Sequence, residues 1–315
     1  MNEIERDFRA AWKSASDNGF ASRLARQSLE AAASESSELA PVLFELKNKH
    51  QAELDLHLEG GSVVNHATNA EQFADLIKGV ADAVKEITKN ALDRQRMSSG
   101  LLVLAPLPGS VRVVLRAAPP VEMDGQIVEA RTETQDSNSL RLVATLIARA
   151  NDDDPEGSII EGLLAELPAK ARPGIRRVAM TVSKADWVVD GTLRRAQLPD
   201  ETLHLEGAGA RRLLTALDAR EVERETVIIE GKVDGQRRSM GTMWFAPLVG
   251  TPIEAAVIDQ DLLQTVAALG ATSESAKATF TAVTQHLPGV SVAARRSYVL
   301  VAIQPMTNTN VELPL

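Results

Sequence analysis

Residues 226–245 read TVIIEGKVDGQRRSMGTMWF, and their reading decides the second half of the fold. Thr226, Val227, Ile228 and Ile229 form a β-branched run, and Met243, Trp244 and Phe245 close a second apolar run. Such residues favour the pleated, half-buried surface of a strand. Asp234-Gly235 stands between the runs and is a strong two-residue hairpin signal. Two paired strands are therefore expected at 226–233 and 237–245.

The pattern continues outward on the C-terminal side. Residues 253–257 read as a third strand, and Asp259 as the N-cap of a helix that Gly270 stops. Residues 276–285 and 296–303 read as two more strands, with Pro288-Gly289 between them. The order β-β-β-α-β-β is that of an OB-like antiparallel β-barrel, whose second and third strands often present a ligand face.

On the N-terminal side, residues 3–47 repeat at helical spacing, with a break at Asn18-Gly19. Leu54, Leu56 and Leu58 alternate with Asp55 and His57, the mark of a half-buried strand. A helix at 69–90 and strands at 101–105 and 111–116 complete a β-α-β-β unit. Residues 119–136 are polar and read as a loop. Helices follow at 137–150 and 155–167, the second with Asp154 as N-cap and Pro155 at its first position. A helix at 174–185, strands at 187–194 and 202–205 and a helix at 208–219 lead into the barrel. The fold class is α+β. The expected division is an acidic α+β domain at 1–168, a connecting α/β segment at 169–222, and the barrel at 223–315. Leu56-His57-Leu58-Glu59-Gly60 recurs as Leu203-His204-Leu205-Glu206-Gly207, each before a helix.

Charge follows the same division. Residues 1–169 hold 17 Lys and Arg against 27 Asp and Glu, while the remainder holds 17 against 16. The first half therefore repels anionic partners, and the second does not. There is no cysteine, which excludes disulfides, thiol nucleophiles and Cys-based metal centres. No apolar run approaches the roughly 18 residues needed to span a membrane. The charged N-terminus is unlike a secretory signal. A cytoplasmic location is expected, and the Ala- and Arg-rich composition suggests a bacterial source.

Candidate sites are few. Arg237, Arg238, Trp244, Arg295 and Arg296 are the residues expected to meet DNA or RNA on the barrel, the arginines at phosphates and the indole stacked on a base. The competing view treats the arginine pairs, including Arg176-Arg177, Arg194-Arg195 and Arg211-Arg212, as solvated charge balancing nearby acids. Glu230-Gly231-Lys232, with Asp190 upstream, is the minimal acid-x-Lys layout of a Mg²⁺-dependent nuclease. Gly207-Ala208-Gly209 precedes a helix but lacks the third glycine of a dinucleotide fingerprint. The five histidines, at 50, 57, 66, 204 and 286, have no zinc spacing, so no metal and no cofactor is expected. The reading is a non-enzymatic interaction protein with a protein partner or itself as a homo-oligomer. An oligonucleotide on residues 223–304 is the further expected ligand. The alternatives are the nuclease and an oligomeric structural subunit.

Overall fold

The computed structural model describes residues 3–15, 20–48, 51–61, 63–64, 67–98, 100–104, 111–119, 133–152, 158–196, 198–218, 222–285 and 295–306. The chain forms two compact units: Met1–Gln51 with Ala118–Thr134, and Ala52–Ala117 with Gln135–Leu315. Both combine into the α+β class expected from the sequence, with a closed barrel near the C-terminus.

The first unit holds α1 (Glu3–Ser14), α2 (Phe20–Ser34) and α3 (Leu39–Asn48). Phe8, Ala33, Val42 and Leu43 make its small core, with Trp12 and Leu29 packed against it. Arg9 joins the first and third helices, donating to Glu5 of its own helix and, at 2.5 Å, to Glu45. Ile4, Phe20 and Leu24 remain exposed.

The second unit opens with β1 (Glu53–Glu59), α4 (Ala70–Ala91), β2 (Leu101–Leu104) and β3 (Val111–Ala117). Then come α5 (Gln135–Arg149), α6 (Ile160–Glu166), α7 (Arg172–Ala185), β4 (Val188–Arg194), β5 (Glu201–Leu205) and α8 (Gly207–Asp218). Its five-stranded sheet has the order β2-β3-β1-β4-β5, with every pairing antiparallel. Period-two alternation in β1 sends Leu54, Leu56 and Leu58 into the core. The stripe Leu76, Val80, Val84 and Ile87 of α4 meets them there. Helices α4 and α7 cross at Gly79 and Gly174. A Cβ on Gly174 would stand 2.7 Å from the Gly79 carbonyl oxygen, so the backbones touch. The sheet takes β1, β2 and β3 from before residue 168 and β4 and β5 from after it. The boundary anticipated at 168/169 therefore lies inside one compact unit, because β4 completes its hydrogen bonds on β1.

The barrel consists of β6 (Val222–Arg237), β7 (Thr242–Pro247), β8 (Ile253–Ala256), α9 (Gln260–Thr272), β9 (Ser275–Gln285) and β10 (Arg295–Pro305). It closes in the order β6-β7-β8-β10-β9 and back to β6, the strand order of an OB barrel. One pairing, β8 with β10, is parallel. Met243, Phe245, Ala255, Phe280, Leu300 and Leu263 fill the interior. Phe280 packs edge-on against both Phe245 and Tyr298.

Three local readings are corrected. Asp234-Gly235 is not the hairpin turn. Strand β6 runs through it to Arg237, and the register with β7 slips between Val233 and Gly235. The extra residue is absorbed as a β-bulge, a common alternative use of a glycine-containing pair. The chain reverses instead at residues 238–241. Gly270 does not stop α9, which continues to Thr272 and ends on Ser273 in the left-handed region at φ 54°. Helix α6 starts at Ile160, not at Pro155. Asp154, Pro155, Asn18-Gly19 and Pro288-Gly289 lie outside the described residues.

Candidate functional site

The turn at 238–241 is held on two sides. From α5, Arg141 donates to the carbonyls of Met240 at 3.2 Å, Val257 at 3.4 Å and Ile258 at 2.9 Å. Thr145, one helical turn on, donates to Met240 O at 2.8 Å. From the five-stranded sheet, Arg195 donates to the carbonyls of Arg238 and Ser239. Glu201 accepts the Ser239 hydroxyl at 2.5 Å. Burying a guanidinium is costly unless its N–H groups find acceptors. Here a ring of turn carbonyls supplies them.

This docking decides what the second and third barrel strands present. Met243, Phe245 and Ala255 point inward, so Thr242, Trp244, Glu254 and Ala256 point outward. Thr242 and Ala256 are both fully buried, and Ala256 packs into the sheet's own core with Met240 and Val299. Glu254 is paired with Arg149 of α5. The Thr242 and Ala256 end of the face on which OB barrels commonly hold ligands is thus covered by this chain's own helix and sheet, while Trp244 is half-buried.

Of the residues read as a nucleic-acid surface, Arg237, Trp244 and Arg296 have partners within the chain. Arg237 and Trp244 do come together, but with each other: the guanidinium lies 5.9 Å from the indole centroid. Arg237 also stands 3.6 Å from Glu201. Arg238 is exposed in the turn. Arg296 pairs with Glu225 and lies over Tyr298. Arg295 begins β10, and its side chain lies outside the described residues. Arg176, Arg177, Arg194 and Arg212 likewise meet Asp218, Asp82, Glu53 and Glu161.

Asp190, Glu230 and Lys232 fall on two different sheets. Asp190 is on β4, where its carboxylate takes Nδ1 of His204 at 2.7 Å. Glu230 and Lys232 face outward from β6, with Glu230 opposite Lys277. No group of three or more His, Asp or Glu is placed to hold a metal ion among the described residues. Gly207-Ala208-Gly209 begins α8, where a Cβ on Gly209 would collide with Asn151.

The outer face of the five-stranded sheet carries a charge ladder. Asp55 receives Arg112 from one side, at 2.6 Å, and Arg194 from the other, at 3.1 Å. Burial pushes the Asp55 carboxyl up, but those two arginines outweigh it and hold it below the ordinary range. Glu53 takes Arg116 and Arg194 in the same way. The ladder is internally neutralised, and His57, Asp190 and His204 continue it across three adjacent strands.

A groove of about 540 Å³ lies beside the barrel, where α6 ends, α5 and α9 begin, and β9 and β10 pass beneath. Its apolar lining includes Ile258, Leu262, Val299 and Val301. Its acids are Glu166, Asp259 and Asp261, and among the described residues no basic side chain lines it, though Arg224 stands 3.7 Å from Glu166. Asp259 accepts from the Asp261 backbone N–H, which fixes the first turn of α9. Val301 is the residue at a β-bulge in β10, and it is 52% exposed. Bulges re-aim side chains in this manner. The open wall continues through Ala302 and Thr279 to Ile228, which is 59% exposed. Sequence reading found Asp259 as a helix cap but missed the rest. The groove is built from residues more than a hundred positions apart on separate helices, and no local pattern marks them.

No family model, curated protein or solved structure matches this chain. Among the described residues no helix is long and apolar enough to cross a membrane.

Proposed function

We propose that this chain is a non-enzymatic interaction protein that works through protein contacts, with the groove and barrel wall beside β10 as its contact surface. The occupant is an extended partner segment carrying both basic and apolar side chains. The observation that carries this reading is the division of the barrel surface. The face of β7 and β8 is partly covered from within the chain, at Thr242 and Ala256. The wall bearing Ile228 and Val301 stays open beside a groove lined by Glu166, Asp259 and Asp261. Apolar anchors next to an acidic rim, of which among the described residues only Glu166 has a basic neighbour in Arg224, favour a partner of the opposite sign. The groove's volume also falls in the range of specific binding sites.

The test is fluorescence polarisation of the whole chain with a labelled peptide of alternating Lys and Val. A Glu and Val peptide and labelled single-stranded DNA and RNA serve as comparators. The Lys–Val peptide is expected to bind and to weaken in Ile228→Glu and Val301→Glu. Absence of peptide binding, equal binding of the acidic peptide, or binding of the oligonucleotides alone overturns the proposal.

A further inference from the structure

The open wall ends at one edge of β6. That strand pairs with β9 from Val222, opposite Gln285, to Lys232, opposite Ser275, with no slip in register. On its other side β7 covers it only from Gly231 to Arg237. The last bond there runs from the Leu248 N–H to the Glu230 carbonyl, at 2.8 Å. Main-chain groups alternate sides along a strand. Glu230 faces the β7 side, so Thr226 and Ile228 turn their N–H and C=O groups to that side as well. Val227 and Ile229 turn theirs to Phe280 and Ala278 of β9. Among the described residues, no strand stands opposite Thr226 and Ile228 on the β7 side.

Natural edges of this kind are blunted by Lys, Pro or a bulge. Residues 226–229 are Thr-Val-Ile-Ile in unbroken register and carry none of these. Ile228, Leu248 and Val249 are exposed around the edge, Val249 at 91%. The two faces of the strand differ in charge. One offers Thr226 and Ile228, and the other carries Glu225, which is exposed although it pairs with Arg296. A second copy fits this edge poorly. Antiparallel pairing of two such edges sets even-numbered residues opposite even-numbered ones. Centred on Thr226 it places Arg224 against Ile228, and centred on Glu225 it places Glu225 against itself. Centred on Val227 it needs the place beside Glu230 that Leu248 already holds. A segment of alternating apolar and basic residues suits both faces, the apolar ones beside Thr226 and Ile228 and a basic one beside Glu225.

We infer that the extended partner segment adds to the barrel as a strand along β6, exchanging main-chain hydrogen bonds with Thr226 and Ile228. This rests on the reading of the barrel wall as the contact surface for a basic and apolar segment, and it names the edge that holds the segment's main chain. Strand addition draws affinity from main-chain bonds and specificity from alternate side chains.

The probes are the labelled Lys–Val peptide and two N-methylated forms of it, one methylated at every Val and the other at every Lys. In an added strand whose Val side chains lie beside Thr226 and Ile228, the Val N–H groups face β6 and the Lys N–H groups face away. The Val-methylated form is expected to bind about tenfold more weakly, the scale of one lost hydrogen bond, and the Lys-methylated form within about threefold of the parent peptide. Equal losses, or the larger loss in the Lys-methylated form, overturn strand addition and leave the wall reading in place. On the protein, Ile228→Pro removes an N–H that faces the edge and no bond to β9, which an edge strand tolerates. Ile228→Thr keeps that N–H. Binding of the unmethylated peptide is expected to fall about tenfold in Ile228→Pro and no more than about threefold in Ile228→Thr, and equal losses overturn the inference. Circular dichroism melts check the fold of both variants, and if Ile228→Pro unfolds the methylated peptides decide alone. If the unmethylated peptide does not bind the parent chain, the wall reading falls and strand addition with it.

Discussion

The guanidinium of Arg141 occupies the place that a side chain would need at Gly241. A Cβ on Gly241 would stand 1.6 Å from Arg141 Nη1 and 2.7 Å from the carbonyl oxygen of Val257. Gly241 also has φ +66°, a conformation that other residues reach only at a cost. The arginine is 1% exposed and bonded to three carbonyls, so it has no room to retreat. Together with the bond from Thr145 to Met240 O, this contact joins α5 to the barrel turn.

Gly241→Ala is accordingly expected to destabilise the chain by about 2–4 kcal/mol, the sum of positive-φ strain and overpacking. Urea unfolding followed by tryptophan fluorescence measures it. A change below about 0.5 kcal/mol means that Arg141 moves freely.

Arg141→Met keeps the stem's volume and removes the donors. The carbonyls of Met240, Val257 and Ile258 lose this partner, at an expected total of about 2–4 kcal/mol. Hydrogen exchange should show the loss first in residues 238–241 and in the start of β8. Protection lost evenly over the whole second unit argues against a local clamp.

Glu161 gathers Arg212 at 3.2 Å, Ser158 at 2.8 Å and Ser297 at 3.1 Å, tying α6 to α8 and to β10. Its side chain is 1% exposed. Glu161→Leu strands the Arg212 charge and is expected to cost about 3–5 kcal/mol. The double variant Glu161→Leu/Arg212→Met should recover much of that loss, since no buried charge remains. Additive losses in the cycle would show that the two side chains do not depend on each other.

Two carboxylates give opposite responses to pH. Burial pushes Asp55 up, but Arg112 and Arg194 outweigh it, so its folded pKa lies below the ordinary 3.8. Its stabilisation is present above 3.8 and fades as pH falls through the folded value. Asp55→Asn should therefore be less stable than the parent at pH 7, with the gap closing in acid. Asp136 is raised by burial, only partly offset by the hydroxyl of Thr88 at 2.8 Å. Its favourable contribution is full below 3.8 and is lost as pH rises through its folded value. Asp136→Asn should be more stable than the parent at pH 7, and the advantage should vanish below pH 3.8. Thermal melts of both variants across pH decide this, and parallel shifts in the two would contradict it.

Much of the architecture was legible from local pattern. The alternation at Leu54, Leu56 and Leu58 and the stripe through Leu76, Val80 and Val84 specify their elements because side-chain periodicity is fixed by backbone geometry. The barrel's element order came from the same signals. Asp234-Gly235 misled because a glycine-containing pair suits a bulge as well as a turn, and the choice between them is made by pairing with β7 across the sheet. Gly270 misled because Ser273, less than one turn further on, ends the helix in the left-handed conformation.

The sequence by itself determined the elements, the absence of thiol chemistry and the apolar faces, since composition and periodicity are properties of neighbouring residues. Tertiary structure alone decided which barrel residues are buried against the rest of the chain. Arg141, Arg195 and Glu201 lie far along the chain from the 238–241 turn that they hold, so no local signal reports that the β7–β8 face is partly covered. The pairing of Arg237 with Glu201 is a long-range contact of the same kind. Burial and hydrogen-bond satisfaction are settled by the whole fold, and they bury Thr242 and Ala256 while leaving Arg237 and Arg238 exposed.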